Sequence, residues 1–97
     1  MRHFHRTSLT PVAVLGAAET FFRSLGLKKA VSDDRSRAFS GALGAVRVAV
    51  RMEGGHYTLV DAATDQVGES RLDKNVKQFF VALHRQADPS HRIDAAY

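Results

Sequence analysis

The spacing of apolar side chains changes along the chain, and each change marks an element. Between Ala45 and Met52 the period is two. Val46, Val48, Val50 and Met52 point one way, and Arg47, Ala49 and Arg51 point the other. This is the pattern of a strand with one dry face and one wet face. Gly54-Gly55 follows, and two glycines can supply both positive φ values of a two-residue type I′ hairpin. Residues 56–62 are therefore expected to return as the partner strand. The two-residue turn sets Glu53 opposite His56, Met52 opposite Tyr57, Val50 opposite Leu59 and Val48 opposite Asp61. A three-residue loop would instead set Arg47 beside Asp61 and Val48 beside Val60, with Tyr57 over Arg51. The tighter turn is preferred because it is the commoner hairpin connection.

Two stretches switch to the helical period. Leu15, Ala18, Phe22 and Leu25 form one stripe. Thr10 can cap that helix, Pro11 suits its first position, and Gly26 suits the left-handed residue that ends it. Leu72, Val76, Phe79, Phe80 and Leu83 form the second stripe. Ser70 can cap it with Asp73 in its first turn, and Asp88-Pro89 stops it. Around these lie a first strand over residues 2–9 and two weakly alternating strands over 27–32 and 35–41. The latter join at Asp33-Asp34, and Gly41 and Gly44 bracket the next bend. The expected fold is α+β, in the order β-α-β-β-β-β-α: an antiparallel sheet of four to five strands with two helices packed on one face. Residues 1–87 are expected to form one domain and residues 88–97 a flexible tail.

The chain has 97 residues, enough for one thin core. A ligand site is thus expected to be a groove, a sheet face or a subunit interface. The formal net charge of +4 is a mild excess that would favour anionic partners, short of the dense basic stripe of a dedicated nucleic-acid binder. There is no cysteine, hence no disulfide, thiolate nucleophile or Cys-based zinc site, which fits a cytoplasmic setting. Arg2 and Arg6 ahead of the apolar run Val12 to Ala18 loosely resemble a signal peptide. That run stops at Glu19 and the apolar pattern continues to Leu25, so a helix of the fold is expected. No segment reaches the ~20 apolar residues of a membrane span.

Candidate chemistry is sparse. His3 and His5 alternate on one strand face, but two imidazoles do not complete a metal site, and none is assigned. No Gly-rich phosphate loop follows a strand and no paired helical His appears. No catalytic residue and no cofactor is assigned, and a non-enzymatic binding or interaction module is expected. Two surfaces are candidates. One is a groove between the C-terminal helix and the sheet, formed by Phe79, Phe80, Leu83 and Tyr57, since adjacent phenylalanines exceed what one buried stripe takes. The other is an anion-binding sheet face with Arg47 and Arg51, joined by Arg37 from the neighbouring strand. A protein partner or a second copy of the chain ranks first. A small apolar ligand in the groove follows, and nucleic acid ranks lower because the aromatics fall mostly on buried stripes.

The run GALGAVRVAVRMEGGHYTLVDAAT followed by the RLDKNVKQFF helix resembles, at the level of element order over residues 2–87, the SRPBCC (Bet v 1-like, START-related) helix-grip superfamily. The resemblance implies a compact relative with a C-terminal helix lying across an antiparallel sheet. Many members hold apolar ligands between the two.

Overall fold

The computed structural model describes residues 1–88. Their elements are β1 (Arg2–Thr7), α1 (Pro11–Ser24), β2 (Lys28–Asp33), β3 (Ser36–Gly41), β4 (Gly44–Glu53), β5 (Tyr57–Thr64) and α2 (Arg71–Ala87). Among the described residues the strands form one antiparallel sheet in the order β1-β5-β4-β3-β2. The α+β class and the expected element order are those observed. The tail expected over 88–97 lies, apart from Asp88, outside the described residues.

The helix boundaries follow from local chemistry. The Thr10 hydroxyl accepts from the Ala13 N–H at 3.2 Å, and Pro11 occupies the first helical position. At the other end Gly26 has φ +86. The Leu27 N–H donates to the Phe22 carbonyl at 3.2 Å and the Gly26 N–H to that of Arg23 at 3.0 Å, which is the Schellman pairing. In α2 the Ser70 hydroxyl accepts from the Asp73 N–H at 3.0 Å.

The core lies between the helices and one face of the sheet. Val14, Leu15, Ala18 and Phe22 of α1 meet Leu72, Val76, Phe79 and Leu83 of α2 over Phe39, Val46, Val48, Val50, Val60 and Ala62 of the strands. The Phe22 ring lies 5.4 Å from that of Phe39 and 5.2 Å from that of Phe79. The apolar run after Pro11 thus packs as part of this fold. Among the described residues no helix is long and apolar enough to cross a membrane.

The β4–β5 register departs from both expected pairings. The loop is Gly54, Gly55 and His56, and it sets Glu53 opposite Tyr57, Val50 opposite Val60, Ala49 opposite Asp61 and Val48 opposite Ala62. Burial explains the shift. A two-residue turn would drive Asp61 against Val48 in the core, whereas the longer loop moves it to the open face. Thr58 turns inward instead, and its hydroxyl donates to the Leu9 carbonyl at 2.6 Å, so the buried polar group is satisfied. Met52, expected in line with the dry valines, is 48 % exposed near the turn.

Candidate functional site

Both helices cover one side of the sheet, so the alternate side chains of β1, β5, β4 and β3 stand on an open face. The register fixes their order across strands. Arg2, Ala63, Arg47 and Ala38 share a row. The next row is Phe4, Asp61, Ala49 and Ser36. Then come Arg6, Leu59 and Arg51, and finally Tyr57 beside Glu53. Rows bearing guanidinium groups therefore alternate with rows bearing a ring. Phe4 is 57 % and Tyr57 53 % exposed, while Leu59 in the row between them is only 8 % exposed. Phe4, Ala49, Arg51, Leu59 and Asp61 help line a shallow depression of about 150 Å³.

The charges on this face are unequally paired. Arg2 is bound through its guanidinium to Asp61, and its Cζ lies 5.3 Å from the centre of the Phe4 ring. Arg6 bonds Glu53 at 2.6 Å. Arg51 reaches Glu53 only at 3.9 Å and its side chain is 70 % exposed. Arg47 donates to the neutral Ser36 hydroxyl at 3.1 Å. At the margin, Asp33 is held below the usual carboxylate range by the Arg35 backbone N–H and then by the Ser36 hydroxyl. Three carboxylates thus stand in these rows: Asp61 on Arg2, Glu53 on Arg6 and at longer range Arg51, and Asp33, paired with Ser36 at the sheet edge and acting on Arg47 through charge alone. Arg47 and Arg51, two residues apart on β4, keep the greater capacity for an added anion.

Arg37 does not belong to this set. It pairs with Val48 across β3–β4 and so stands on the helix side. Its Nε donates to Glu19 of α1 at 2.9 Å, and its Nη1 bonds the Asp33 and Ser36 carbonyls. The hydrogen bond from Arg37 and then that from Lys29 hold Glu19 below its ordinary pKa. Arg37 is a clamp between α1 and the sheet edge.

Of the expected groove residues, Phe79, Phe80 and Leu83 lie together on α2, and Tyr57 does not join them. Phe79 and Leu83 are fully buried. Phe80 is half-buried, its ring stacked on His5 at 5.0 Å. Tyr57 lies on the opposite face of the sheet. The longer hairpin loop accounts for this, since it reverses the side on which Tyr57 emerges.

Two features were not anticipated from the pattern. Phe4 adds an aromatic side chain to the arginine face, and its alternation with Arg2 and Arg6 was the available signal. His3 turns inward, and its Nε2 lies 2.8 Å from Oδ1 of the buried Asp73. Asp73 also accepts from Thr64 at 2.9 Å and from the Ser70 hydroxyl at 2.7 Å. No signal in the local sequence links His3 to a helix cap seventy residues later. Among the described residues no group of three or more His, Cys, Asp or Glu side chains is arranged to hold a metal ion.

No family model matches the chain, and no curated protein matches it.

Proposed function

We propose that this protein is a binding module that takes up an anionic ligand on the open face of its sheet, with Arg47 and Arg51 as the principal contacts. The supporting observation is their placement. Two guanidinium groups at two-residue spacing stand on an uncovered face; Arg47 hydrogen-bonds a neutral hydroxyl with Asp33 nearby, and Arg51 is mostly exposed and meets Glu53 only at 3.9 Å. Guanidinium groups stay charged at every physiological pH and bind phosphate or carboxylate through paired hydrogen bonds. They need transfer no proton to do so, and the reading therefore asks for no catalysis. The helix-grip resemblance points instead to a ligand between sheet and α2. The inward side chains there, Leu72, Val76, Phe79 and Leu83 of α2 with Val60 and Ala62 of the sheet, are buried in one core, which favours the outer face. A cytoplasmic setting is part of the same reading, since anionic polymers and metabolites abound there.

The test is binding of inorganic polyphosphate by the wild type and by the Arg47→Ala/Arg51→Ala double variant, at low and at near-physiological salt. Wild-type binding should weaken steeply as salt screens the face. The double variant should lose at least about tenfold in affinity while its stability stays within about 0.5 kcal/mol, as for other surface substitutions. Equal affinities for the two proteins would refute the reading.

A further inference from the structure

We infer that the occupant of the open face is a single-stranded nucleic acid, bound with bases on Phe4 and Tyr57 and phosphates on the arginines. The inference rests on the anion-binding reading above and goes further by assigning a role to the rings. A simple polyanion site needs cations alone. Here two aromatic side chains, each more than half exposed, stand among four arginines on a surface where burial would be the ordinary fate of a ring. Their spacing follows from the register. Phe4 lies in the row of Asp61, and Tyr57 lies four residues further along β5. At a rise of about 3.4 Å per residue the two rings are about 14 Å apart along the strand direction. Leu59, Arg6 and Arg51 fill the row between them. A strand running along β5 would therefore meet a ring, a pair of guanidinium groups and a second ring. A further pair, Arg2 and Arg47, lies beyond Phe4.

That sequence of contacts matches an unpaired strand better than a duplex. Bases can stack on exposed rings only when they are free of a partner strand. The depression on this face measures only about 150 Å³. That is too small to enclose a metabolite and leaves room for an extended polymer lying across the surface. The Arg2 guanidinium, bound to Asp61, lies over one side of the Phe4 ring, and with it in place the ring is still 57 % exposed. Stacking and phosphate contacts do not read the sugar. Ribose and deoxyribose strands are therefore expected to bind alike within a few fold.

The experiment compares four fluorescent probes at low salt by anisotropy. They are a mixed-sequence single strand of about ten nucleotides, its duplex, an abasic strand of the same length, and a poly-glutamate peptide. The single strand should bind most tightly, and the abasic strand, which keeps the phosphates, at least about tenfold more weakly. Phe4→Ser and Tyr57→Ser should each weaken the single strand about fivefold to a hundredfold and leave the abasic strand unaffected. Both rings are exposed, so thermal melts of the variants should match wild type. If the abasic strand binds as well as the intact one, and only Arg47→Ala/Arg51→Ala matters, the anion site stands and the nucleic-acid assignment falls. A preference for duplex or for poly-glutamate overturns the assignment in the same way. Failure of every probe, polyphosphate included, removes both readings together.

Discussion

The Asp73 side chain joins the start of α2 to β1 and to the end of β5. Its carboxylate is fully buried and receives hydrogen bonds from His3, Thr64 and Ser70. An ionised carboxylate only accepts, so the His3 proton must sit on Nε2. Burial is the largest influence on Asp73 and opposes its ionisation. The hydrogen bonds from Ser70, His3 and Thr64 together outweigh it and hold the pKa at about 2, against an ordinary 3.8. A carboxylate with a depressed folded-state pKa stabilises the protein above its unfolded pKa and loses that contribution as pH falls toward the folded value. The contribution, about 2 kcal/mol, is therefore present above pH 4 and lost between about pH 4 and 2. Asp73→Asn cannot accept at both former oxygens and sets an amide against the Ser70 hydroxyl. It should cost about 1–3 kcal/mol at pH 7. Urea titrations at a series of pH values should show the variant losing less stability than wild type between pH 4 and 2. Parallel curves would mean that this carboxylate is not the acid-sensitive group.

Turns decide which side chains each strand presents, and the β3–β4 turn can be tested at one atom. Gly44 has φ +124, and an added Cβ would lie 2.5 Å from Gln66 Nε2 and 2.7 Å from Asp65 Oδ1. The Asp65 oxygen accepts the Ala45 N–H at 2.9 Å, so displacing it breaks a bond that holds the start of β4. Gly44→Ala should cost about 1–3 kcal/mol, read as a lowered urea midpoint with an unchanged slope. A midpoint within error of wild type would show that the turn relaxes freely. The same scale shows what the sequence could and could not reveal. Thr10, Ser70 and Gly26 act within one helical turn of themselves, and the valines of β4 alternate with their own neighbours, so these elements were legible locally. The side on which Tyr57 emerges depends on one extra loop residue, His56, whose signal in the sequence was the clash of Asp61 with Val48 that the shorter turn would force. Arg37 sits in the run SRAFSG, whose alternation is too weak to choose a face, and its pairing with Val48 across the sheet chooses it. The arginine face was readable from β4, whereas its Phe4 contribution required knowing that β1 pairs with β5.

Taken whole, the sheet has two edges that are secured in different ways, and that difference should govern how it opens. β1 is joined to β5 by pairs such as Arg2 with Ala63 and Thr7 with Thr58. It is also fastened from the helix side, by His3 on Asp73, His5 on Phe80 and the buried Thr7. β2 has no buried residue and meets β3 through a register shift between Lys29 and Ser32. Its link to the helices is the exposed cluster of Lys29 with Glu19, next to Arg37. Surface ion pairs of that kind contribute about 0.2–1 kcal/mol. Opening β2 thus exposes little apolar surface, while opening β1 uncovers an ionised carboxylate and one side of Phe80. Native-state hydrogen exchange should rank the strands accordingly. The hydrogen-bonded amides of β4 and β5 around Val48, Val50 and Val60 should exchange only on global unfolding. Those of β1 should come close to them, and those of β2 should exchange at least about a hundredfold faster by local opening. In Asp73→Asn the protection of β1 should fall toward that of β2 while the β4 amides lose only the drop in global stability. Equal protection of the two edges in the wild type would mean that strand pairing alone, rather than the His3–Asp73 fastening, holds the first strand in place.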